Sequence, residues 1–156
     1  MLKKNILIDT LASFFYVGFI PYAPGTWASL IAALIWILIP VESVTIRIII
    51  VCSAFVIGIF VAGLSELKSG IIDPSYVVID EVAGMWLALL LLPKIQHPNR
   101  VPMILLAFLV FRFFDITKIY PIKNLEKLGG GFGIMIDDIA AGIFTAITVN
   151  LIVWIL

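Results

Sequence analysis

The sequence predicts an all-α fold, a multi-spanning membrane helix bundle with four to five spanning helices and an N-terminal interfacial helix. Three observations predict it. Hydrophobic residues make up 63% of the 156 and charged residues only 13%, where soluble domains run near about 45–50% and about 25%. So few polar groups could not cover the apolar surface of a soluble fold this long, and a bilayer is the solvent that suits it. Long apolar stretches recur, separated by short connections rich in Pro, Gly and charge. The length suits one domain, residues 1–156.

The N-terminus, MLKKNILIDTLASFF, puts two lysines before an apolar stretch. Asp9 interrupts that stretch, and no clear small-residue cleavage site follows. It reads as a retained, interfacial amphipathic segment. Five apolar segments follow, at about Trp27–Ile39, Val44–Leu64, Tyr76–Leu92, Val101–Phe114 and Asp138–Leu156. The second and fifth approach the roughly 20 residues a span needs, and the first and fourth are short by that measure. The net charge of zero leaves no electrostatic footprint for nucleic acid. Cys52 is the single cysteine, which excludes an internal disulfide and a thiolate metal cluster.

Loop charge sets an orientation. With the N-terminus in the cytoplasm, Lys3, Lys4, Lys68, Lys118, Lys123 and Lys127 lie inside, with Arg112 near that face. Arg47, Lys94 and Arg100 then lie outside, against the general bias. The same path brings Asp73, Asp80, Glu81, Asp115, Asp137 and Asp138 to the cytoplasmic side, together with the loop PYAPGT.

Four strings carry the candidate chemistry. In VVIDEVAGMW, Asp80 and Glu81 abut a long apolar run. An ionised carboxylate deep in a bilayer costs about 2.5–3.5 kcal/mol on insertion scales, so the pair belongs at an interface, in a wet cavity or on a cation. The plainer reading is an N-terminal helix cap. Gly84 and Ala88 follow as a small-residue stripe suited to close helix contact. In FRFFDITK, Arg112, Asp115 and Lys118 recur three apart, suiting a site for both cation and anion; the plainer reading is an ion pair and a snorkelling lysine. In GGGFGIMIDDIAAG, four glycines free the backbone for a turn or a close approach. Asp137 and Asp138 then open the last segment, where Asp138, Ala141 or Gly142, Thr145 and Thr148 make a small, polar stripe. One carboxylate suffices for a cap, and two facing another acidic pair repel unless a metal screens them. In PYAPGTWASL, Pro24 and Gly25 give a turn and Thr26 a candidate N-cap, where a helix N-terminus favours phosphate.

All-oxygen ligands suit magnesium, manganese or calcium rather than zinc. Arg and Lys beside them suit a phosphate. The expected chemistry is metal-assisted reaction at phosphorus, on a substrate presented at the membrane surface.

APGTWASL, VVIDEVAGMW, FRFFDITK and GGGFGIMIDDIAAG, in this order, resemble the phosphatidylglycerophosphatase A family from about Phe19 to Ile143. The resemblance implies an all-α bundle in the bacterial inner membrane. It implies magnesium-dependent hydrolysis of phosphatidylglycerophosphate to phosphatidylglycerol and inorganic phosphate, in phospholipid biosynthesis. Asp80 and Glu81 match the family's Asp-Glu pair, and Arg112, Asp115 and Lys118 its Arg, Asp and Lys motif. Asp137 and Asp138 match its paired aspartates, and Pro24, Gly25 and Thr26 its Pro-Gly-Thr loop. Asp73 falls where the family usually has a further acid. Ala28 stands where the family favours Gly, and Lys118-Ile119-Tyr120-Pro121 where it favours Lys-Pro-Trp-Pro.

The sequence therefore assigns Asp80, Glu81, Asp115, Asp137 and Asp138 to catalysis and magnesium, and Thr26, Arg112 and Lys118 to the phosphate. Attack by water and attack by an aspartate both fit these residues. Cys52 lacks the arginine of a cysteine phosphatase loop, and His97, the only histidine, lies in a loop at the opposite face. Two rivals stay open: another membrane lipid phosphotransferase, and a divalent-cation transporter using the same acids. The long Asp-Gly and Ala-Arg signature of CDP-alcohol phosphotransferases is absent. A transporter would place carboxylates at mid-membrane depth along a path.

Overall fold

The structure, a computed structural model, describes residues 6–38, 43–93, 100–125 and 128–155. Within them the chain is helical: α1 (Ile6–Ala12), α2 (Pro24–Leu38), α3 (Val44–Ser69), α4 (Ile79–Leu90), α5 (Arg100–Thr117), α6 (Ile122–Leu125) and α7 (Gly130–Ile155). A single 3-10 turn, Val17–Phe19, joins the first two. Lys3, Lys4, Lys94, His97 and Lys127, used above for orientation or mechanism, lie outside the described residues.

Helices α3 and α7 are each 26 residues long and apolar enough to cross a membrane, about 39 Å at 1.5 Å per residue. Their apolar character continues around the outward faces. Ile49, Val56, Phe60 and Leu64 on α3, and Ile147, Leu151 and Trp154 on α7, are exposed. A helix apolar all round finds its solvent in lipid or a large core, and these outer faces meet no protein.

Helix α7 is the axis of the bundle, packing on α3, α4 and α5, while α2 packs on α4 and α5 and α1 on α3. Small residues set the crossings. A Cβ on Gly84 would lie 2.8 Å from the Asp138 carbonyl carbon and 2.9 Å from the Phe111 ring. A Cβ on Gly142 would meet the Gly84 carbonyl, with its carbon at 3.2 Å. Thus α4 and α7 run side by side in the same direction, and the small-residue stripe on α4 has its partner on α7. On the other flank, Gly131 presses on the Ile59 carbonyl beside Gly63 while Met135, further along α7, covers Gly58, so α3 and α7 run antiparallel.

Three sequence expectations are corrected. The last helix begins at Gly130, not Asp138. Of the glycine run, Gly129 and Gly130 hold φ of +62° and +64° and make the turn, but Gly131 and Gly133 are helical and buried. Their lack of a side chain serves helix contact rather than loop freedom. Thr26 is not an N-cap: α2 starts at Pro24, the usual first helical position for proline, and the Thr26 N–H donates to the Ala23 carbonyl at 3.0 Å.

Candidate active site

The first turn of α4 carries Asp80 and Glu81. Its start is fixed from two sides. The Val78 N–H donates to the Ala12 carbonyl at 2.9 Å, and the Trp86 indole donates to the Ala32 carbonyl at 2.9 Å. The N-cap is Val78, which offers no side-chain cap, so neither acid caps this helix. Asp137 and Asp138 lie more than a turn inside α7, where no free helix N–H groups need a cap. The side-chain cap reading therefore fails for both pairs, while Asp80 and Glu81 keep the favourable first-turn position of an acid at a helix N-terminus.

These elements enclose a cavity of about 270 Å³. Asp73, Asp80, Glu81, Arg112, Asp115, Lys118, Asp137 and Asp138 all line it, with Ala23, Pro24 and Gly25 from the start of α2. Of the residues predicted from sequence, all but Thr26 come together. The cavity meets the backbone just before it, at Gly25, and its lining among the described residues does not include Thr26.

Asp80, Asp137 and Asp138 are 7%, 5% and 4% exposed, values that carboxyl groups rarely reach without a partner, a ligand or a proton. Three of the acids have cationic partners. Arg112 pairs with Asp115 one turn away on α5, and its Nη1 lies 4.0 Å from Glu81 and donates to Ser29 Oγ at 3.5 Å. Lys118, just past the end of α5, donates to Asp137 at 2.7 Å. Three of the acids form the tightest group. Asp80, Glu81 and Asp138 each offer an oxygen within 4.8 Å of the others. Asp80 Oδ1 and Glu81 Oε2 are buried without a hydrogen-bond partner. Buried anionic oxygens left unpaired are costly, and a cation among them removes that cost. The site thus fits a divalent cation ligated by oxygen.

A family model described as Phosphatidylglycerophosphatase A matches residues 10–153, which contain every one of these side chains. The chain belongs to the phosphatidylglycerophosphatase A family. Family membership makes it a phosphatase. It is 39% identical to the phosphatidylglycerophosphatase A of Haemophilus influenzae, covering 95% of this chain and 91% of the relative. It is 34% identical to that of Escherichia coli, covering 93% and 83%. It is 35% identical to a Bacteroides thetaiotaomicron protein provisionally named as a phosphatidylinositol-3-phosphatase, covering 100% and 99%. No solved structure matches.

Two features of this phosphatidylglycerophosphatase A family site escape sequence reasoning. Ser29, one turn after Gly25, is fully buried; its hydroxyl donates to the Gly25 carbonyl at 2.7 Å and meets Arg112. Its only signal was a hydroxyl inside an apolar helix. The second is the contact made by Gly25, which the sequence offered only as a turn residue of the Pro-Gly-Thr loop. A Cβ there would collide with the Glu81 carboxylate and lie 3.2 Å from Arg112 Nη1. Gly25→Ala is therefore expected to displace Glu81 and Arg112 together and lower phosphatase turnover by about 10–100-fold, since small misplacements at a reacting centre are costly. Initial rates on a variant of unchanged helical circular dichroism check this.

Proposed function

We propose that this chain hydrolyses phosphatidylglycerophosphate to phosphatidylglycerol and inorganic phosphate, using magnesium held by Asp80, Glu81 and Asp138. The observation that carries the reading is the pair of orphaned, buried oxygens on Asp80 and Glu81, grouped with Asp138 and flanked by Arg112 and Lys118. Carboxylates alone fit a cation, whereas carboxylates beside an arginine and a lysine fit a cation with its phosphate.

When bound, the cation supplies Lewis-acid polarisation of the phosphoryl group and a water of lowered pKa. The chain's own residues do the rest. Asp115 anchors Arg112, whose Nε is buried without an acceptor and so keeps a donor for a phosphate oxygen. Asp137 holds Lys118 at the cavity, where its charge offsets the phosphate's. Asp115 and Asp137 thus serve as anchors of the cations in this reading, and Asp80, Glu81 and Asp138 as the cation's first ligands. Gly25 keeps the α2 backbone against Glu81, leaving the helix N-terminus turned to an anion.

The chain forms one membrane domain with four to five spans and opens this cavity to the cytoplasm. Supporting this are the two long apolar helices, the further apolar helices α2 and α5, and the excess of Lys in the loops at the cavity end. The Bacteroides relative's name favours a second substrate, an inositol lipid phosphate. Phosphate release by purified protein separates the readings. Phosphatidylglycerophosphate is expected to be turned over at least 10-fold faster than phosphatidylinositol 3-phosphate; the reverse preference would transfer the assignment. Metal flux into liposomes without any phosphate release would favour a transporter.

A further inference from the structure

Arg47 and Arg100 are two of the three charges that oppose the loop bias, and the phosphatase site does not use them. Both line a second cavity of about 150 Å³, with Trp36, Val44, Leu89, Leu92, Met103 and Ile104 among its walls. It lies where α2 and α4 end and α3 and α5 begin, at the opposite end of α4 from Asp80. The intrinsic partners of the two cations are weak ones. Arg47 stacks over the Trp36 ring, 5.1 Å from its centroid, and Arg100 donates to the Trp36 carbonyl at 3.2 Å, in the last turn of α2 where the helix dipole is negative. Stacking engages the face of a guanidinium and not its in-plane donors. Arg47 Nε and Nη2 are buried with no acceptor. These two are the side-on edge of the guanidinium fork, the edge that grips two oxygens of a phosphate or carboxylate at once.

We propose that Arg47 and Arg100 form an anion site for a phosphate oxyanion, the headgroup phosphate of an anionic phospholipid or free phosphate. Two cations facing one small cavity with no carboxylate among its described lining residues repel one another, and one bound phosphate removes both the repulsion and the orphaned donors. The apolar walls beside the guanidinium groups suit the glycerol and acyl chain of a lipid, and Val44 at the rim is exposed.

The test uses the purified full chain in detergent with dihexanoyl phosphatidylmethanol as the lipid probe and sodium phosphate as the free one. Binding of each is measured by calorimetry in the wild type, Arg47→Gln and Arg47→Lys. The expected result is a saturable lipid isotherm in the wild type, weakened at least 10-fold by Arg47→Gln and several-fold by Arg47→Lys, which keeps charge but lacks the fork. Phosphatase activity stays unchanged in both variants, which shows them folded and separates this site from the catalytic one. If sodium phosphate binds and competes with the lipid, the site takes free phosphate as well; if it does not, the site is lipid-specific. Binding by Arg47→Gln equal to wild type, or no saturable Arg47-dependent binding of either probe, overturns the proposal.

Discussion

Asp138→Asn is expected to lower phosphatase turnover by about 10²–10³-fold, the range seen when one charge-stabilising group is removed from a preorganised site. The substitution keeps the volume of a side chain that is only 4% exposed, so packing of α7 is preserved. What changes is charge. Asp138 is the one member of the three-acid group carried by α7, and an amide is a far weaker ligand for a hard cation than a carboxylate. Asp9→Asn is the matched control. Asp9 pairs with Lys68 at 2.6 Å, away from the cavity, and its loss leaves turnover within about twofold while lowering stability by about 1 kcal/mol. Initial rates on both variants at saturating magnesium make the comparison. Wild-type rates from Asp80→Asn and Asp138→Asn combined would remove these acids from the reaction.

Gly84→Ala is expected to lower turnover by about 100-fold without touching a charged group. The added methyl meets backbone, the Asp138 carbonyl, and the Phe111 ring at 2.9 Å. Neither neighbour is the flexible end of a side chain, so α4 and α7 must separate. Overpacking of this kind costs about 1–3 kcal/mol in stability. Its effect on activity is larger, because Asp80 and Glu81 ride on one helix and Asp138 on the other. A separation of about 1 Å loosens the ligand group, and such a shift can cost about 10²-fold in rate. Helical circular dichroism near wild type, with turnover lost and half-maximal magnesium concentration raised, is the expected signature. A normal magnesium dependence would show that the crossing does not set the ligand geometry.

The convergence of the acids was legible in the sequence because charge is expensive in an apolar chain. With only 10 acidic residues, each acid beside an apolar run stood out, and the alternation of helices placed six of them at one end. The structure brings those six into one cavity. Division of labour among them was not legible. Which acid meets Arg112 or Lys118, and which oxygens are left over, depends on side-chain distances across helices. The start of α7 was misplaced for a related reason. Consecutive glycines signal a turn when only local conformation is weighed, but Gly131 is buried against Ile59 and Gly63 on a helix 70 residues away in sequence. Tertiary contact outweighed local propensity there. Thr26 drew attention as a hydroxyl near a turn, while Pro24 had already fixed the helix start, leaving the bare backbone of Gly25 to face Glu81.

In the proposed reading, Asp80, Glu81 and Asp138 hold a divalent cation on which the phosphatase depends. The most direct measurement is phosphate release from phosphatidylglycerophosphate by purified protein, dialysed against EDTA and then titrated with magnesium. The expected result is a loss of at least about 100-fold on chelation, full recovery on adding magnesium, and a recovery curve shifted to higher magnesium in Glu81→Gln. Undiminished activity after thorough chelation would contradict it.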